Sequence, residues 1–133
     1  MNIYTFLFLA VAAAIVIYLQ GRIMGKYWDR GCMGTRWKRR FPDAPKSEIR
    51  KFLTAFVDGF AFMNSRRLKF EPDDRVMDIY FTLYPKNWPA GDQMECETFV
   101  EIIKSKYGVD LVPVWKNEIT LGEIFALTRN KTT

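Results

Sequence analysis

Four carboxylates, Asp92, Glu95, Glu97 and Glu101, crowd one short stretch that opens Gly91-Asp92-Gln93-Met94. Carboxylates so placed can trade protons, hold a cation, or present a charged face to a partner. The rest of the chain narrows the choice. There is no histidine, so the commonest general base and metal ligand is missing. Cys32 and Cys96 show no metal-site or disulfide spacing, and no histidine or lysine is placed to activate Cys96. Gly25-Lys26 lacks the remainder of a phosphate loop. Asp73-Asp74 and the Asp92/Glu95 pair are explained by turn and helix-start chemistry. The inventory predicts no enzyme, no cofactor and no metal, and leaves electrostatic recognition as the chemistry on offer.

Basic residues supply a second such surface. Arg22, Lys26, Arg30, Arg36, Lys38, Arg39 and Arg40 fall between Gly21 and Phe41 with one acid, Asp29, a local net charge of +6. The whole chain carries +5, so residues 42–133 are close to neutral at −1. A high isoelectric point confined to one segment removes most of the case for a nucleic-acid-binding head. These seven side chains suit anionic lipid headgroups, or they serve only to set membrane topology.

The membrane enters because of what precedes them. Residues 3–19 (IYTFLFLAVAAAIVIYL) are uncharged, with Thr5 and two tyrosines the only polar interruptions, and Tyr4 and Tyr18 lie near the ends where amphipathic rings favour an interface. A helix of this length nearly spans a hydrocarbon core of about 30 Å. A cleaved signal is disfavoured by the lack of a basic start and by the apolar IVIYL after Ala12-Ala13-Ala14. A buried core helix would need a larger protein around it. The expected plan is a transmembrane anchor at 1–21, a basic juxtamembrane linker at 22–45, and a helical domain at 46–133. Positive charge following the span predicts a cytoplasmic head with the N-terminus outside. Cys32 stands close enough to a membrane for acylation, with a plain thiol as the alternative.

Within 46–133 the periodicity is helical. Ser47 is the expected N-cap of a helix burying Ile49, Phe52, Leu53, Phe56, Val57, Phe60 and Met63. Residues 75–84 (RVMDIYFTLY) fit a strand or a helix, although a lone strand would have no partner. Asp92 is the expected cap of an acidic helix with Met94, Phe99, Ile102, Ile103 and Tyr107 inward and Gly108 just past its end. Thr120 caps a last helix that turns Leu121, Ile124, Phe125 and Leu127 inward. An all-α head of three main helices and a short one results.

From Ser47 to Arg129 the chain resembles acyl carrier protein-like four-helix domains, and in particular a bacterial family of them with no assigned function. The resemblance rests on Gly91-Asp92-Gln93-Met94, on Phe99, Ile102 and Ile103 leading to Tyr107-Gly108-Val109-Asp110, and on Ile119-Thr120-Leu121-Gly122-Glu123-Ile124. A working carrier has Asp-Ser-Leu where this chain has Asp92-Gln93-Met94, and its serine hydroxyl takes the phosphopantetheine arm. Gln93 has no hydroxyl to modify. The resemblance therefore implies a carrier-like fold without cargo, recognised through its acidic helix at Asp92, Glu95, Glu97 and Glu101, with Trp88 in the preceding loop as a further contact. The expected function is a non-catalytic module at a bacterial inner membrane that binds a protein partner, of immunity or regulatory type. A structural subunit of a larger membrane complex, packed through Ala10, Ala12, Ala13 and Ala14, and a carrier modified at an atypical site are the alternatives.

Overall fold

The computed structural model describes residues 2–84 and 93–132, and every regular element among them is helical. They are α1 (Ile3–Ile23), α2 (Gly25–Trp28), α3 (Gly34–Arg40), α4 (Lys46–Gly59), α5 (Val76–Leu83), α6 (Met94–Tyr107) and α7 (Leu121–Thr132), with 3-10 turns at Asn64–Lys69 and Val112–Val114. A single antiparallel bridge joins Arg75 to Thr120. Within 75–84, Val76–Leu83 is a helix, as the lack of a strand partner favours, and Arg75 and Tyr84 flank it in extended conformation.

Helix α1 is long and apolar enough to cross a membrane, and none of its apolar window is buried inside the molecule. Phe8 is 72% exposed and Ile17 70%. No described residue of α1 belongs to the buried core, although the helix touches α2 and α5. Helix α4 contributes Ile49, Phe52, Leu53, Phe56 and Val57, the i, i+3, i+4, i+7, i+8 stripe, all buried. Phe52 and Phe56 meet Phe99 of α6, the Phe56 contact edge-on at 5.3 Å between ring centres. Phe52 also meets Phe125 of α7 at 5.2 Å. Helices α4 and α6 approach so closely that a Cβ on Gly59 would lie 2.9 Å from the Phe99 Cα.

Both ends of α4 differ from expectation. It starts at Lys46 directly after Pro45, whose fixed φ suits a helix entry, and Ser47 makes no capping bond. It stops at Gly59. Ala61 takes the left-handed conformation (φ 59°), donates to the Asp58 carbonyl, and lets Phe62 donate back to the Val57 carbonyl at 2.8 Å. That Schellman closure returns Phe62 to the core and leaves Met63 70% exposed, outside the stripe to which periodicity assigned it.

The largest correction concerns the front of the head. The segment 22–45 expected to be a linker is folded: Met24, Tyr27, Trp37 and Ala44 are buried in the same core as α4. Trp37 is fully buried, its indole N–H donates to the Phe70 carbonyl at 2.8 Å, and its ring meets Phe125 edge-on at 5.6 Å. A domain boundary at 45 cuts through this packing. Long-range aromatic contacts leave no periodic trace in a stretch of short helices, so the basic residues dominated the reading.

Basic residues of this segment hold the acidic loop at 71–74. Arg30 clasps Asp74 with both terminal nitrogens, at 2.7 and 3.0 Å, and Arg36 and Arg40 pair with Glu71 and Asp73. Asp74 is buried and also accepts from the Glu71 amide at 2.8 Å. On its other side the loop is bonded to the start of α7: Gly122 N–H to the Pro72 carbonyl, Leu121 N–H to the Asp74 carbonyl, and Val76 N–H to the Ile119 carbonyl. A Cβ on Gly122 would meet the Pro72 carbonyl oxygen at 2.9 Å, so only glycine admits this contact.

Trp37→Ala removes the largest ring from the centre of this core and orphans the Phe70 carbonyl. We expect a loss of about 3–5 kcal/mol, read as a lower denaturation midpoint of the detergent-solubilised protein. An unchanged midpoint would return 22–45 to the status of a linker.

Candidate functional site

The acidic helix begins under strain. Gln93 sits in the left-handed region (φ 61°, ψ 21°), and its amide donates to the Tyr80 hydroxyl of α5 at 2.8 Å. No side chain caps α6 among the described residues, and Asp92 and Trp88, two expected contact residues, lie outside those residues. Tyr84 at the end of α5 donates to the Glu95 carboxylate. Two tyrosines one helical turn apart thus hold the first turn of α6 against α5.

The buried stripe of α6 is Cys96, Phe99 and Ile103, with Val100, Ile102 and Tyr107 half-buried. Met94, expected inward, is 62% exposed. Rotation by two residues makes Cys96 the first core position, a small thiol behaving as an apolar side chain. The expectation was built on Met94 because the thiol was read as chemistry and not as packing. Glu95 consequently lies half-buried on Tyr84, whereas Glu97 and Glu101 are exposed. Gly108 ends the helix as expected, left-handed at φ 69°, with its amide on the Lys104 carbonyl. Thr120 caps the N-terminus of α7 through a bond from the Glu123 amide at 3.1 Å.

Between α6 and the segment leading to Trp115 runs a groove of about 670 Å³. Cys96, Val100, Val112 and Trp115 give it an apolar floor, and Glu97, Glu101 and Asp110 give it an acidic rim relieved by Lys104. Asp110 holds the rim in shape by accepting from the Val112 amide at 3.0 Å. Asp110 and Trp115 were not expected here. They reach α6 only because Gly108 reverses the chain, and the Tyr107-Gly108-Val109-Asp110 exit is the sequence signal that marks that reversal.

Among the described residues that line it, the groove holds one thiol, and its surroundings keep that thiol protonated. Burial, with the charges of Glu95 and Glu97 beside it, pushes the Cys96 thiol up to about 12. Its sulfur faces Met77 Sδ at 3.9 Å. Burial likewise raises the Tyr107 hydroxyl, with Glu48 adding to the shift.

The seven basic candidates divide into two groups. Arg30, Arg36 and Arg40 are engaged with Asp74, Glu71 and Asp73, and the Arg30 guanidinium is held more firmly charged by its bonds to Asp74 despite burial. Lys38 donates to the carbonyls of Pro42 and Ala44. Arg22, Lys26 and Arg39 are exposed, Lys26 lying 5.0 Å from the Tyr27 ring centre. Of the seven cations expected at lipid headgroups or as topology signals, four are thus engaged within the head and three are left exposed. No family model matches the chain, and neither the curated proteins nor the solved structures give a significant match.

Cys96 should resist maleimide at pH 8 while exposed Cys32 reacts, a difference that intact-mass measurement resolves and that denaturant should abolish. Cys96 and Tyr27, whose hydroxyl burial and then Asp74 push up to about 12, bind their protons more tightly folded than unfolded. Their contribution is complete below the ordinary thiol value of 9.0 and is lost as pH climbs toward 12, so the melting temperature should fall across that window.

Proposed function

We propose that this chain is a single-span membrane protein whose helical head is a non-catalytic, carrier-like module that binds a protein partner. The observation that carries the reading is α1. Its phenylalanines, leucines and isoleucines lie uncovered, and each such side chain is worth about 1.5–3 kcal/mol when removed from water. A bilayer supplies that removal along the whole helix. The net positive charge that follows supports a cytoplasmic head at the inner membrane, with exposed Arg22 and Lys26 at the span's end.

The carrier-like part is supported by the succession of α4, α6 and α7 and by Gln93 at the opening of α6. An amide there admits no phosphopantetheine ester. Binding is supported by the groove beside α6, where a rim of Glu97, Glu101 and Asp110 over an apolar floor suits a partner with a basic, amphipathic surface. An immunity or regulatory role is the form this reading takes for a small anchored head without catalytic equipment.

Two measurements test it. Protease added to intact spheroplasts should leave the head whole, and its digestion from outside would overturn the topology. Affinity capture followed by mass spectrometry should recover a partner that Glu97→Lys with Glu101→Lys loses, more completely at low salt where attraction is least screened. Both positions are exposed, so the variant should keep the parent's melting temperature. Undiminished capture would reduce these acids to a solvated face.

A further inference from the structure

On another face of the head lies a cleft of about 410 Å³ between α3 and the first turns of α4. Lys38, Lys46 and Arg50 line it, no carboxylate does, and Ile49 and Leu68 form its apolar part. Lys38 is fixed there because its ammonium donates to the carbonyls of Pro42 and Ala44, tying the α3–α4 turn. Lys46 and Arg50 are a different case. They stand four residues apart at the start of α4, where the helix dipole is positive and cations are disfavoured. Among the described residues neither has an ion pair, although Arg30, Arg36 and Arg40 all do. The acid in that turn, Glu48, pairs with Arg129 at 3.6 Å. No side-chain cap shields the end of α4, and its Lys46 and Ser47 amides have no backbone acceptor. The fold thus gathers three cations and a helix N-terminus around one cavity with no anion lining it.

We propose that this cleft binds a phosphate-bearing anion, with Arg50 as a fork on the phosphate oxygens and Lys46 and Lys38 as flanking charges. The volume exceeds what a bare phosphate fills, and falls within the range of small-molecule sites, so it has room for the group that carries the phosphate. Lipid headgroup and soluble phosphate share this chemistry. The site is separate from the α6 groove and does not depend on a protein partner there.

Cys32 lines the cleft and is exposed, so its alkylation rate reports occupancy, and buried Cys96 reports folding in the same sample. The full chain is placed in phosphatidylcholine nanodiscs and labelled with maleimide alone, with inorganic phosphate, or after exchange into discs containing phosphatidylglycerol. With ligand at about ten times its Kd, Cys32 labelling should slow about tenfold. Slowing only in the phosphatidylglycerol discs assigns the site to a lipid headgroup, and slowing also with inorganic phosphate assigns it to the phosphate itself. Lys46→Glu with Arg50→Glu should restore the fast rate while Cys96 stays unlabelled. Should that pair expose Cys96, Lys46→Gln with Arg50→Gln makes the same test without reversed charge. Equal rates in all three samples, or slowing that survives in the folded variant, would overturn the proposal.

Discussion

The clasp of Arg30 on Asp74 joins parts of the chain that the rest of the head depends on. A guanidinium a quarter exposed and a carboxylate almost wholly buried are tolerable together because each is bonded again: Arg30 to the Lys69 carbonyl, Asp74 to the Glu71 amide. The backbone carbonyl of the same aspartate receives the first amide of α7. One residue therefore ties the front segment to the acidic loop and the loop to the last helix. Phe70, just before the loop, adds the apolar half of the joint, its carbonyl on Trp37 and its ring edge-on to Phe56. Removing either partner of the clasp would leave a charge in a place built for a pair.

This joint also explains the division of charge. Seven cations within one short segment look like a free polybasic stretch when counted locally. Three of them meet acids more than thirty residues later, and such pairing is invisible to any window that reads neighbours. Asp73 and Asp74 were read as turn residues for the same reason. Turn formation does occur, since the Asp74 amide bonds to the Glu71 carbonyl and the Asp74 carboxylate accepts the Glu71 amide, but both carboxylates also serve partners elsewhere.

Local chemistry was legible where one residue decides the outcome. Gly108 and Thr120 end and begin their helices as side-chain size and hydroxyl placement require, and the α4 stripe follows from spacing alone. Reading failed where packing chooses between local options. Cys96 and Met94 are both apolar enough to face inward, and the pinning of α6 by Tyr80 and Tyr84 selects the first. Trp37 sits in a seven-residue helix surrounded by arginines, with nothing beside it to announce that its ring closes the core. The groove near α6 was half visible, through Glu97 and Glu101, while its far wall depends on a reversal that brings Trp115 back.

The junction at Met24 has a mechanical consequence. One fully buried residue separates α1 from α2, so the long helix enters the packed head without a swivel. Transmembrane helices tilt to match bilayer thickness, by about 20° on average. With a flexible tether such tilting would be absorbed in the slack. If α1 crosses a bilayer as proposed, the helix would act as a lever on the head through the buried Met24 junction, and a thinner or thicker bilayer would roll the head, re-aiming the acidic groove and the basic cleft together relative to the lipid surface.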